Sequence, residues 1–338
     1  MVADFVDPAS GHAGATVVGT AVGSVGAYGI SWMQRNEVSA DFTSWLFDAD
    51  DGTGVFVTPA EQVVLAELER IVASTHSGSS LVRRLPGVIP QLLQSLRSDS
   101  FSGAALARMI SHDVVLVAEV LRLASSATHG TRGAMSSIEH AVLVLGQNGL
   151  RQLISGVAFK PIIDLKSGHY IRRIAPRLWQ QSEQCALACR LLAEQEDVNP
   201  FEAFLAGLIQ QVGLIASLRV LEQVAEGDTT LGSASFCNTL FAQARILSCS
   251  IATEWQFPPA IIVAIEEQGS KYDAAGMSPL GRLLSSADYL SKLHVLAAAH
   301  QPRRPDATGS LSASAAACLQ QLEDAALPVQ DSSDHLSE

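Results

Sequence analysis

The sequence predicts an all-α fold, a multi-helix module made of two packed helical subdomains. Three observations predict it. From Pro59 onward, apolar residues recur at the three- and four-residue spacing of a helix face almost without interruption. No sustained period-2 alternation bounded by hairpin signals occurs, so strands are few or absent. The 338 residues are 48% hydrophobic and 17% charged, enough apolar material for a large core and, at roughly 150 residues per domain, for about two domains.

The elements follow in order. Thr58-Pro59 is a start signal, and Val63, Val64, Leu65, Leu68, Ile71 and Val72 are expected to share the face of the helix it opens. Pro86 and Pro90 punctuate a turn before Leu92, Leu93 and Leu96. Further helices are predicted over 104–110 and over 114–124, with Asp113 as N-cap of the second. Ser136-Ser137 precede Ile138, Ala141, Val142 and Leu145, and Gly146 and Gly149 lead into Leu150, Leu153 and Ile154. The second helical block starts near Ala175 with a helix over 179–194, closed off by Asn199-Pro200. One long helix is predicted over 201–224, because Phe204, Leu205, Leu208, Ile209, Val212, Ile215 and Ala216 form an unbroken apolar stripe. Helices over 236–255, 259–267 and 279–299 complete the set.

Charge divides the chain further. Net charge is −12, from 22 Lys+Arg against 34 Asp+Glu, which argues against a nucleic-acid binder or a polybasic membrane contact. Residues 1–51 have a local balance of −6 and residues 306–338 again −6, whereas 151–180 reverse to +5. The predicted organisation is an acidic, Gly/Ala-rich, partly flexible arm over 1–57 and a helical subdomain over 58–165. A second helical subdomain over 166–300 and a weakly ordered polar tail over 301–338 follow. The uncharged run from Pro8 to Gln34 is too rich in glycine for a spanning helix and lacks a basic flank for a secretory signal. Five cysteines, an odd number, suit a reducing compartment, so a cytoplasmic location is expected.

Common catalytic motifs are absent: no GxSxG, P-loop, HExxH or zinc-spaced cysteine pair occurs. Cys185 and Cys189 share a helix face and read as small core residues. Asp113 of His112-Asp113 reads as a helix cap. The basic joint offers Arg172, Arg173 and Arg177, at i, i+1 and i+5, as candidates for binding an anion or an acidic segment, including one of the chain's own acidic ends.

Several segments together resemble the HDOD domain, a bacterial relative of the HD-type metal-dependent phosphohydrolases. In the first half they are Leu85-Pro86 with Ile89-Pro90, Asp113 through the 121–127 segment, with Ser125 where the family usually has Asn, and Ser136-Ser137-Ile138 through Leu150-Arg151. In the second half they are Trp179, Phe204-Leu205-Ala206-Gly207-Leu208 and Ala287-Asp288-Tyr289-Leu290. The likeness spans roughly residues 80–295. It implies a site where His and Asp ligands hold a metal that activates water. This chain departs from that pattern at Gln181, at Gln210-Gln211 where His-Asp would stand, at Leu214 in place of Lys, and at Glu266-Glu267 in place of a His pair. Only Asp288 matches a ligand position.

A glutamine amide is a far poorer metal ligand than imidazole or carboxylate. Gln181, Gln210, Gln211 and Asp288 are therefore expected to form a vestigial pocket, the glutamines satisfying one another in a buried polar network. No catalytic residue, metal or cofactor is expected. The resemblance implies a non-catalytic bacterial signal-transduction or regulatory module that acts through protein–protein contacts. The alternatives are a module sensing a nucleotide second messenger, and a phosphohydrolase recruiting Glu266 or Glu267 beside Asp288.

Overall fold

The computed structural model describes residues 27–48, 54–74, 149, 168–225, 231–269, 276–302, 304 and 306–326. The predicted helices over 104–110 and 114–124, the Pro86–Pro90 turn, His112-Asp113 and the Ser136–Ile154 segment lie outside the described residues, Gly149 excepted. What is described is helical, with no strand. After a short 3-10 turn, Ala27–Gly29, come α1 Trp32–Phe47, α2 Pro59–Val72, α3 His169–Ala193, α4 Pro200–Ile209, α5 Val212–Val224, α6 Ala234–Glu254, α7 Pro259–Glu266, α8 Pro279–Ala298 and α9 Ala313–Ala326.

Proline and a capping side chain place several of these starts. Thr58 closes a capping box with Glu61 at the head of α2, with Pro59 at the first helical position. Asn199 Oδ1 accepts from the Phe201 and Glu202 amides ahead of α4, and Ser278 Oγ accepts from Gly281 N at α8. Helix α3 starts earlier than the sequence predicts, at His169 rather than near Ala175, and carries Pro176 inside it. Its first turn is capped from a distance: the Glu222 carboxylate of α5 accepts from the amides of Tyr170 and Ile171.

Helix α3 is the centre of the module, packed mainly on α4 and α8. Two glycines set its surroundings. A Cβ on Gly207 would lie 2.8 Å from the Ala186 backbone, so α4 crosses α3 almost backbone to backbone. A Cβ on Gly213 would lie 2.0 Å from Ala244 O, so α5 meets α6 equally closely.

The single helix predicted over 201–224 is two helices. Its apolar stripe is real, and Pro200–Val224 is long and apolar enough to cross a membrane, but 83% of its 18-residue apolar stretch is buried inside the fold. The break at Gln210-Gln211 comes from α6. Ser248 Oγ donates to Gln210 O at 2.8 Å and accepts from Gly213 N at 2.9 Å, inserting a hydroxyl where the helix ladder would run.

The two chain ends also depart from expectation. The segment read as an arm contains α1, opened by the Ser31–Gln34 capping box and burying Val38, Phe42, Leu46 and Phe47. The segment read as a weakly ordered tail contains α9, whose Ala315, Cys318, Leu319 and Leu322 are buried against α3 and α8. Burying a leucine such as Leu322 is worth roughly 1.5–3 kcal/mol. The ends are joined to each other: Ser312 N donates to Tyr28 O at 2.9 Å, and Arg304 grips Asp41 of α1 with two bonds of 2.7 and 2.8 Å.

Candidate functional site

Helix α8 carries the centre of the site, Asp288, with Ser285, Ser291 and Lys292 within one turn of it. Glu267 anchors the head of this helix by accepting from Ser278 N at 2.9 Å and Ser278 Oγ at 2.7 Å. Glu267 is thus committed to a cap, and Glu266 is exposed on α7. Neither carboxylate bonds Asp288.

Three donors from three directions meet the Asp288 carboxylate. Gln181 of α3 donates through Nε2 at 2.9 Å, Gln210 at the α4/α5 break donates at 3.1 Å, and the Lys292 ammonium stands 2.6 Å from Oδ2. An ionised carboxylate only accepts, so both amides must present NH2 to it. The second bonds of these donors lock the arrangement. Gln181 Nε2 also donates to Ser291 Oγ at 3.0 Å, and Gln210 Nε2 to Cys185 Sγ at 3.0 Å. The Cys185 thiol is pushed up by burial first and then by Cys189 and Asp288, so it sits there as a neutral thiol. Gln181 is fully buried, and its Oε1 has no hydrogen-bond partner.

The glutamines therefore do not satisfy one another as expected. Gln181 and Gln210 share one acceptor, while Gln211 is half-buried and faces the adjoining cleft. The reason is chemical: a carboxylate is a stronger acceptor for an amide than a second amide is.

Helix α1 covers this cluster. Ser39 Oγ accepts from Lys292 Nζ at 3.2 Å, the Phe42 ring lies 5.5 Å below the same ammonium, and Arg35 Nη1 donates to Ser285 Oγ at 2.5 Å. Beside it opens a cleft of about 1010 Å³, lined among others by Trp32, Arg35, Gln211, Arg245 and Asp288.

A metal of the HD type does not fit these donors. Asp288 already accepts three bonds, and Lys292 supplies the positive charge that a cation would bring. Among the described residues no three His, Cys, Asp or Glu side chains gather where they could hold an ion. Lys292 is the member that sequence reasoning missed. Its signal was the i, i+4 spacing from Asp288. Arg35 was missed with its helix, although Ser31-x-x-Gln34 is the signature of a helix start and Val38, Phe42 and Leu46 follow at helical spacing.

The three candidate arginines of the joint separate. Arg172 is exposed. Arg173 and Arg177 point from α3 at the C-terminus of α1. Arg173 donates to Phe47 O at 3.0 Å, and Arg177 donates to Trp45 O at 2.7 Å and to Asp48 Oδ1 at 2.8 Å. Arg177 also lies 4.7 Å over the Trp45 ring. These two guanidiniums occupy the negative end of the α1 dipole and its unpaired carbonyls. They grip the end of α1, including the acidic Asp48, as the reading of a contact with the chain's own acidic segment expects.

Comparisons with known proteins accord with this architecture. The HDOD domain profile matches residues 82–270, more than half of the chain. An HDOD domain protein with unknown function from Geobacter sulfurreducens superposes with a TM-score of 0.51 at 17% identity, over 75% of this chain and 95% of that one. A protein from Shewanella amazonensis, provisionally named a metal-dependent phosphohydrolase, gives 0.52 at 17% identity, over 79% and 99%. A provisionally named signal transduction protein from Marinobacter aquaeolei gives 0.52 at 18% identity, over 80% and 64%. At such identities these likenesses speak for the fold alone. No curated protein matches the sequence.

Proposed function

This chain belongs to the HDOD domain family, and from that premise we propose that it is a non-catalytic, cytoplasmic signalling module that works through contacts with a protein partner. One observation carries the reading. The carboxylate that would bind a catalytic metal is neutralised by Lys292 and accepts from Gln181 and Gln210. Releasing it would leave the Lys292 ammonium with only the neutral Ser39 hydroxyl, and the two amides each with one bond fewer, in a mostly buried place. Exposed apolar side chains support the reading: Val55, 64% exposed, and Phe56, 84% exposed, precede α2, and Val63 projects from it. The Marinobacter neighbour, named for signal transduction, agrees in kind.

The test is direct. The purified full chain, incubated with manganese, iron or nickel and desalted, retains no stoichiometric ion, releases no phosphate from phosphomonoesters and converts no phosphodiester to its monoester. A retained ion together with turnover abolished by Asp288→Ala overturns the reading. A second reading, a nucleotide-sensing module, is favoured by the cationic lining of the cleft beside Asp288.

A further inference from the structure

We propose that the cleft between α1, α6 and α8 binds a phosphorylated small molecule of nucleotide size, gripped by Arg35 and Arg245. The inference rests on the non-catalytic reading above, in that the ligand is held and not turned over.

The two arginines differ from several others among the described residues. Arg70, Arg190 and Arg304 each hold a carboxylate, at 2.6, 2.9 and 2.7 Å. Arg35 and Arg245 line the cleft, half-buried, and neither pairs with a carboxylate among the described residues. Arg35 makes one bond, to the neutral Ser285 hydroxyl, and its Nε is buried with no partner. The nearby acid, Asp288, is already committed to Lys292 and the two glutamines. Arg245 makes no hydrogen bond among the described residues, and its Nη2 would lie 3.1 Å from a Cβ on Gly269, at the end of α7. Burial pushes both guanidiniums down, opposed only by Asp288 for Arg35 and by Cys249 for Arg245. A desolvated cation without a counter-ion is a cost that an incoming anion removes.

Phosphate suits this arrangement because a guanidinium fork matches two of its oxygens at once. The cleft, about 1010 Å³, is at the upper end of the range for ligand pockets and is far larger than free phosphate needs. The rest of the lining suits a base and sugar. Trp32, half-exposed, and Phe241 offer flat apolar surface for stacking, and Asn36, Asn238 and Gln211 offer amides. Arg35 and Trp32 belong to α1, outside the residues that the family profile matches.

The experiment uses the full chain in thermal-shift and calorimetric titrations with pyrophosphate, AMP, GTP and adenosine. At least one phosphorylated probe raises the melting temperature, while adenosine does not. Arg245→Ala and Arg35→Gln each weaken its Kd by roughly ten- to a hundredfold, with an unchanged far-UV spectrum and apo melting temperature. No shift with any probe, an equal shift with adenosine, or a shift untouched by both substitutions overturns the proposal. Phosphate release is followed in the same samples. Binding without release is the expected result, and binding with release would overturn the non-catalytic reading while the site stands. Absence of both binding and release would overturn the site alone.

Discussion

Lys292 Nζ stands 2.6 Å from Asp288 Oδ2, one helical turn along α8, so the acid of an HD-type site faces an ammonium built into its own helix. The pair is enclosed, with side-chain exposures of 8% for Lys292 and 19% for Asp288, and α1 closes over it through Ser39 and Phe42.

Restoring the missing ligand types is therefore not enough to restore a metal site. The triple variant Gln181→His, Gln210→His, Gln211→Asp holds no manganese or iron after desalting, because Lys292 still neutralises Asp288. Adding Lys292→Ala to it produces a retained ion. Elemental analysis of the two variants decides the matter, and an ion retained by the triple variant would show that the ammonium is not the obstacle. Lys292→Ala alone costs about 1–3 kcal/mol in urea unfolding. That is below the loss for a fully buried pair, since Asp288 keeps some solvent and two amide donors.

Glu61 gives the fold a specific acid sensitivity. Its fully buried carboxylate accepts from Gly232 N and Ser233 N, both at 2.8 Å, from Ser233 Oγ at 2.6 Å, and from Thr58 N at 2.8 Å. It thereby closes the capping box of α2 and ties down the entry to α6. Burial pushes this carboxyl up, but the hydrogen bonds from Ser233, Gly232 and Thr58 outweigh it and hold the group below its ordinary value. The stabilisation is then complete above the unfolded value of about 4.3 and is lost as pH falls through the lower folded value. Glu61→Gln costs about 2–4 kcal/mol at pH 7. Urea midpoints from pH 7 to pH 3 should converge for wild type and variant, and curves that stay parallel would rule out this role.

The break between α4 and α5 has its own signature. Ser248→Ala leaves Gly213 N–H and Gln210 C=O without their shared partner in a buried place, at a cost of about 1–3 kcal/mol. Gly213→Ala drives a methyl against Ala244 O and costs more, about 3 kcal/mol or above. Both are read from chemical unfolding. A larger loss for Ser248→Ala than for Gly213→Ala would mean that the hydroxyl, not the close approach of α5 to α6, governs this junction.

Much of the helical plan was readable because its signals are local. Proline at the first helical position, with Thr58, Asn199 or Ser278 just before it, marks the starts of α2, α4 and α8 wherever those helices pack. Other elements were hidden by their surroundings. The stripe of Ala315, Cys318, Leu319 and Leu322 in α9 was present at helical spacing but sat in a polar, Ala/Ser-rich segment. The early start of α3 was masked by Pro176 and by a basic composition that suggests a connector. Its cap, Glu222, comes from another helix entirely.

By itself, the sequence determined the all-α fold of the described residues and singled out Gln181, Gln210 and Asp288, which the fold brings together. Both readings depend on residue identity and short-range spacing, which the chain carries in any conformation. Tertiary structure alone decided what that acid meets: Gln181 from α3, Gln210 at a break made by Ser248, and α1 laid over Lys292. Lys292 reaches the carboxylate by local i, i+4 spacing, but whether Gln181 and Gln210 do so depends on how helices distant in sequence face one another, which no local spacing encodes.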